Sequence, residues 1–195
     1  FGNDRPAMRF DLALKDIPNF FKETEFKVFK QVIEANGIIK ALKVEKSTLS
    51  RKEIDELTVF AQENGAKGLA WIKVNEDGLQ SPIIKFFNDN ELNNIKKEMN
   101  LDIGDIMFFG AGPEEEVNKY LSAVRLKLGK DLNLIKNGEF KFVWITDFPL
   151  FIKEGKHLNS VHHPFTMPKD EINDFVNGKS IFIPLIGKLF TALCV

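Results

Sequence analysis

The chain has 195 residues, enough for one large domain or a medium domain with flanks, and 44% of them are hydrophobic, ample for a core. With 28% charged residues it reads as globular, and a formal net charge of −1 gives the chain as a whole no electrostatic footprint for nucleic acid. The single cysteine, Cys194, excludes an internal disulfide and a cysteine-cluster zinc site, and fits a reducing compartment such as the cytoplasm.

The chain opens at Phe1 without an initiator methionine, signal peptide or apolar targeting run, and so reads as an excised fragment. Its longest apolar run, Ile181 to Ile186, is interrupted by Pro184 and is too short for a bilayer, so no membrane partner is expected. Residues 1–10 read as loop, with Asn3-Asp4 as turn chemistry and Pro6 holding the backbone extended. Asp4, Arg5 and Arg9 form a charged cluster there, either solvated or able to clamp a phosphate or carboxylate.

Asp16 to Phe21 predicts a short helical turn, and Phe26-Lys27-Val28-Phe29 alternates like a strand. The 19 phenylalanines are assigned to core packing rather than to a platform for bases, because basic residues do not cluster with them. Ile38 to Val44 reads as a strand after the Asn36-Gly37 turn. Ser50-Arg51-Lys52-Glu53 is a capping box that opens a helix through Glu63, stopped by Asn64-Gly65. A strand at Leu69 to Val74, a turn at Asn75 to Gly78 and a strand at Ile83 to Phe87 follow. Asn88 or Asp89 caps a second helix, Glu91 to Met99, with Leu92, Ile95 and Met99 inward.

Ile106 to Phe109 is a short buried strand. Gly110-Ala111-Gly112-Pro113 reads as a tight turn into a third helix, not a phosphate loop, since it lacks the loop's lysine and serine and Glu114 to Glu116 would repel phosphate. That helix runs to about Leu128, with Val117, Leu121, Val124 and Leu128 inward and Arg125 and Lys127 complementing its negative end. The alternation predicts an α+β domain, a two-layer sandwich with helices on one face of a mainly antiparallel sheet. No nucleophile–base pair is legible in it, so no catalytic residue is assigned.

After a polar connector, Phe140 to Thr146 is the clearest alternating strand, and Phe151-Ile152 and Ser160-Val161-His162 are expected to flank it in a hairpin joined over Lys153 to Asn159. His162 and His163 stand side by side before Pro164. On residue chemistry alone they are open to a structural role, ligand contact or metal binding, though a metal site lacks a third obvious ligand. Asp147 either fixes an imidazole tautomer or caps a turn.

Trp144-Ile145-Thr146-Asp147-Phe148-Pro149-Leu150-Phe151, followed by His162-His163-Pro164-Phe165-Thr166, closely resembles bacterial-type aspartyl-tRNA synthetase. Phe1 to Phe10 is similar to that family's glycine-Ser/Asn-Asp-Lys/Arg-Pro-x-x-Arg segment, which follows class II motif 2. Lys85-Phe86, Asp105 to Ala111 and Leu121 to Gly129 resemble its inserted GAD domain.

The resemblance implies residues 1–29 as an edge of the class II catalytic domain, 30–130 as the GAD insertion, and 131–195 as an incomplete return into the catalytic domain. It implies a parent enzyme, cytoplasmic and homodimeric, that activates aspartate with ATP and Mg²⁺ and transfers it to tRNA(Asp). His162 would contact aspartate, with His163 the second candidate; no metal ligand and no cofactor-binding residue is implied here. Class II motifs 1, 2 and 3 are absent, so the isolated chain is expected to be inactive, and Ser180 to Val195 matches nothing in the family. Two other readings stay open: a non-catalytic module that binds tRNA or a partner, and the GAD domain of a tRNA-dependent amidotransferase subunit.

Overall fold

The computed structural model describes residues 7–17, 21, 24–136, 138, 143–148, 151–154, 157–160 and 187–191. It divides into two compact units, residues 1–137 and 138–195.

In the first unit the elements run β1 (Leu14–Asp16), α1 (Lys27–Glu34), β2 (Ile38–Val44), α2 (Arg51–Glu63), β3 (Ala70–Asn75), β4 (Gly78–Gln80), α3 (Asp89–Glu98), β5 (Ile106–Gly112) and α4 (Glu114–Asp131). The five strands form one sheet in the order β1-β2-β5-β3-β4, and every pairing is antiparallel. At its centre β5 pairs with β2 from Ile38↔Gly112 to Val44↔Ile106 and with β3 from Ala70↔Phe109 to Lys73↔Ile106.

The expected α+β class and antiparallel sheet are present, but the helices cover both faces rather than one. Successive strand residues point to opposite faces. Leu42, Val44, Trp71, Ile106 and Phe108 therefore pack with Ile54, Leu57 and Ala61 of α2 and Val117, Leu121, Val124 and Leu128 of α4. Ile39, Ala41, Ile72, Val74, Met107 and Phe109 pack on the other side with Phe29 of α1, Ile95 of α3 and Met99 at the end of that helix. The unbroken run Ile106-Met107-Phe108-Phe109 is what a strand buried on both faces requires.

Local chemistry explains where the elements start. The expected capping box of Ser50 with Glu53 opens α2, and Asn88, one of the two expected caps, forms a second box with Glu91 on α3. Gly65, at φ 103°, follows the end of α2 as expected.

Three readings change and one strand is added. Phe26 to Phe29 is not a strand: Phe26 precedes α1, and Phe29, Val32 and Ile33 turn one helical stripe onto the second core while Val28 stays exposed. Ile83 to Phe87 is not a strand either. Before Pro82, which has no N–H for a ladder, the Ser81 hydroxyl donates to the Trp71 carbonyl and accepts from the Ile83 N–H. That bends the chain into a 3-10 turn at Ile84–Phe86, and the partner of β3 is the shorter β4.

Gly110 to Gly112 continue β5 instead of turning, and Pro113 holds the N-cap position of α4. A Cβ at Gly110 would lie 2.7 Å from both Leu121 Cδ1 and Tyr120 Oη, so glycine here lets α4 lie close on the sheet. Finally, β1 extends the sheet through Leu14↔Leu42, where sequence periodicity showed no strand.

In the second unit β6 (Val143–Phe148) pairs antiparallel with β9 (Gly187–Thr191), with an irregularity between Ile145 and Phe148. β7 (Phe151–Glu154) and β8 (His157–Ser160) pair with each other, Phe151↔Ser160 to Glu154↔His157. The hairpin exists, but only Gly155 and Lys156 separate its strands, and among the described residues the partner of β6 is β9 rather than that hairpin. Residues 140–142 lie outside the described residues. The stretch that matched nothing in sequence supplies β9.

Candidate functional site

His162 and His163 lie outside the described residues, as do Asp4 and Arg5 of the opening cluster. The elements leading to the histidine pair are described. β8 ends at Ser160, two positions before His162, and Asp147 sits on β6 in the stretch where its register with β9 is irregular. His157, on β8 opposite Glu154, is exposed.

The opening segment is described from Ala7, and it is held by α4. Arg125 was expected to complement the helix's negative end; instead it is buried, 2% exposed, on the inward stripe. Its Nε donates to the Leu12 carbonyl at 2.7 Å, and one Nη donates to the carbonyls of Ala7 at 2.8 Å and Phe10 at 3.0 Å. The guanidinium also lies 4.1 Å from the centroid of the Phe10 ring. Burial pulls its pKa down to about 10, with Asp11 pulling it back up, so it remains a cation at neutral pH. The role complementary to the helix end falls to Lys130 in the last turn, while Lys127 pairs with Asp131 at 2.9 Å.

Sequence reading missed this contact, although one signal for it was present. Position 125 lies four residues after Leu121 and four before Gly129, which puts it on the helix's buried side. What the sequence did not show is that the long side chain reaches backbone more than a hundred residues away.

The buried acids Asp105 and Glu91 serve the fold. One oxygen of the Asp105 carboxylate accepts from the Lys46 N–H and the other from the Asp102 N–H, both at 3.0 Å, and Lys43 approaches at 3.5 Å. It thereby ties the turn after β2 to the turn before β5. Glu91 accepts from the Asn88 N–H at 2.9 Å in the α3 capping box. Gly110 to Gly112, being strand, offer no cradle for a phosphate. Among the described residues no group of three or more His, Cys, Asp or Glu is placed to hold a metal ion, so the described part of the chain does not itself fit a Mg²⁺ site. No helix among them is long and apolar enough to cross a membrane.

Residues 29–121 match the GAD domain family. Across 173 residues, 88% of this chain, the sequence is 50% identical to an aspartate–tRNA(Asp/Asn) ligase of Aquifex aeolicus, of which it covers 29%. It is 44% identical over 180 residues to an aspartate–tRNA ligase of Shouchella clausii, covering 90% of this chain and 31% of the relative. An aspartate–tRNA(Asp/Asn) ligase of Persephonella marina is 47% identical over 175 residues, covering 88% and 29%. The chain thus spans less than a third of the length of the curated relatives it matches. Over about nine tenths of its length the chain is therefore a fragment similar to bacterial aspartate–tRNA ligases, with a GAD domain match at its centre.

Proposed function

We propose that this chain is part of an enzyme that activates aspartate with ATP and Mg²⁺ and transfers the aspartyl group to tRNA(Asp). The carrying observation is identity of 44–50% across about nine tenths of the chain to proteins named as aspartate–tRNA ligases. In this reading residues 1–29 are an edge of the catalytic domain, 30–130 the inserted domain and 131–195 the return into the catalytic domain. The whole enzyme is a cytoplasmic homodimer, and the isolated chain, without class II motifs 1, 2 and 3, has no activity of its own.

His162 contacts the amino acid, and His163 is the second candidate. An imidazole that donates to a carboxylate steadies an anionic substrate. A site built around such a donor rejects analogues unable to use it, because the buried polar group is then left unpaired. Two features of the sequence support this assignment: the Asp147-Phe148-Pro149 run ahead of the pair and the Pro164-Phe165-Thr166 run after it.

The assignment is tested in the full-length enzyme by aspartate-dependent pyrophosphate exchange. His162→Ala is expected to raise KM for aspartate or lower kcat/KM by about tenfold or more, with unchanged thermal unfolding. Unchanged aspartate kinetics would remove His162 from the site.

A further inference from the structure

Arg125 holds the incoming segment more specifically than packing alone requires. A buried cation is costly unless its donors are satisfied, and an apolar side chain would fill the same space without that cost. Here the forked guanidinium gathers the carbonyls of Ala7, Phe10 and Leu12, which dictates the backbone path of residues 7–12. Leu12 itself sits at φ 91°, a left-handed conformation that a branched side chain rarely adopts, and its carbonyl takes the shortest of the three bonds.

The Phe10 ring completes the arrangement. A Cβ at Gly129 would lie 2.7 Å from two of its carbons, so the ring occupies a notch that only glycine leaves on α4. Gly129 is four residues after Arg125, one turn along the same face. Ring, cation and notch therefore act as one clamp.

We propose that Arg125, Gly129 and Phe10 join the chain entering the inserted domain to the helix leaving it, and that Arg125 is a positioning residue for the Ala7 to Arg9 segment. This rests on the reading above, in which that segment belongs to the catalytic domain. An inserted domain is carried on two connections. Locking the incoming one to the outgoing helix replaces two independent tethers with one strut, and residues 7–9 are the first to gain from it.

Two measurements test the clamp. In this chain, Arg125→Gln is expected to speed amide hydrogen exchange in residues 8–13 about tenfold or more, while β5 amides stay protected. In the full-length enzyme the same variant should lower kcat/KM for aspartate-dependent pyrophosphate exchange by about tenfold, with Arg125→Lys recovering part of it. Gly129→Ala should act in the same direction, and adding Phe10→Leu should restore activity by vacating the notch. That pair decides the matter if Arg125→Gln fails to fold, because both variants leave the charge in place. Faster exchange in residues 8–13 with unchanged kinetics would overturn the positioning role, and unchanged exchange would overturn the clamp. Absence of aspartate-dependent exchange in the unsubstituted full-length enzyme would instead sink the proposed function.

Discussion

Tyr120 shows how far a single side chain's chemistry depends on its place in the fold. It is buried under β5, and burial pushes its hydroxyl up to about 12, against a hydrogen bond with the backbone at Ala111; Glu116 adds a smaller upward push. A phenol whose folded pKa lies above its unfolded value of about 10 contributes stability that is fully present below pH 10. That stability is lost as pH rises through 12, because the unfolded chain releases the proton first. Arg125, pulled down to about 10, acts in the opposite sense over the same window. Comparing the wild type with Tyr120→Phe isolates the phenol, since Arg125 is common to both. Denaturant unfolding at pH 8 and pH 11.5 should show the Phe variant gaining on the wild type at the higher pH, by about 1–2 kcal/mol.

At the scale of the element, the two capping boxes look alike in sequence but sit in different surroundings. Ser50 and Glu53 are exposed, whereas Asn88 caps a helix whose Glu91 is buried. Asn88→Ala removes the acceptor for the Glu91 N–H in a part-buried first turn, where water replaces it less readily than at the exposed Ser50 box. It is expected to cost about 1–2 kcal/mol, more than Ser50→Ala at the exposed box. Thermal melts of the two variants side by side check the order, and an equal shift would show that burial at the α3 cap adds nothing.

α1 and the stretch around Ile83 make a related point. Four residues, Phe26 to Phe29, fit a strand and a helix equally well, and only the second core, through Phe29, Val32 and Ile33, selects the helix. At Ile83 to Phe87 the apolar run was real, but Pro82 and the Ser81 hydroxyl took its backbone out of the ladder.

For the whole molecule, the division at residue 137 carries its own prediction. A fragment of residues 1–137 contains one sheet with a core on each face, and β5 belongs to both cores, which couples them. It should unfold in a single cooperative transition. Trp71, buried in the first core, is its only tryptophan, and its fluorescence should change together with the far-ultraviolet circular dichroism. Separate midpoints would mean that the two faces of the sheet are independent.

By itself the sequence determined the strands and helices with strong local patterns: β2, α2, β3, α3 and α4, and the caps that start two of them. It also carried the histidine-pair motif and the resemblance that names the family, because these depend on the order of residues and not on contacts. Tertiary structure alone decided that helices cover both faces of the sheet, since alternation along β5 is invisible when every residue is apolar. It likewise decided that the unmatched tail supplies a strand to β6, and that Arg125 turns inward to grip Ala7, Phe10 and Leu12. Those facts rest on pairings between distant parts of the chain, which leave little trace in local periodicity.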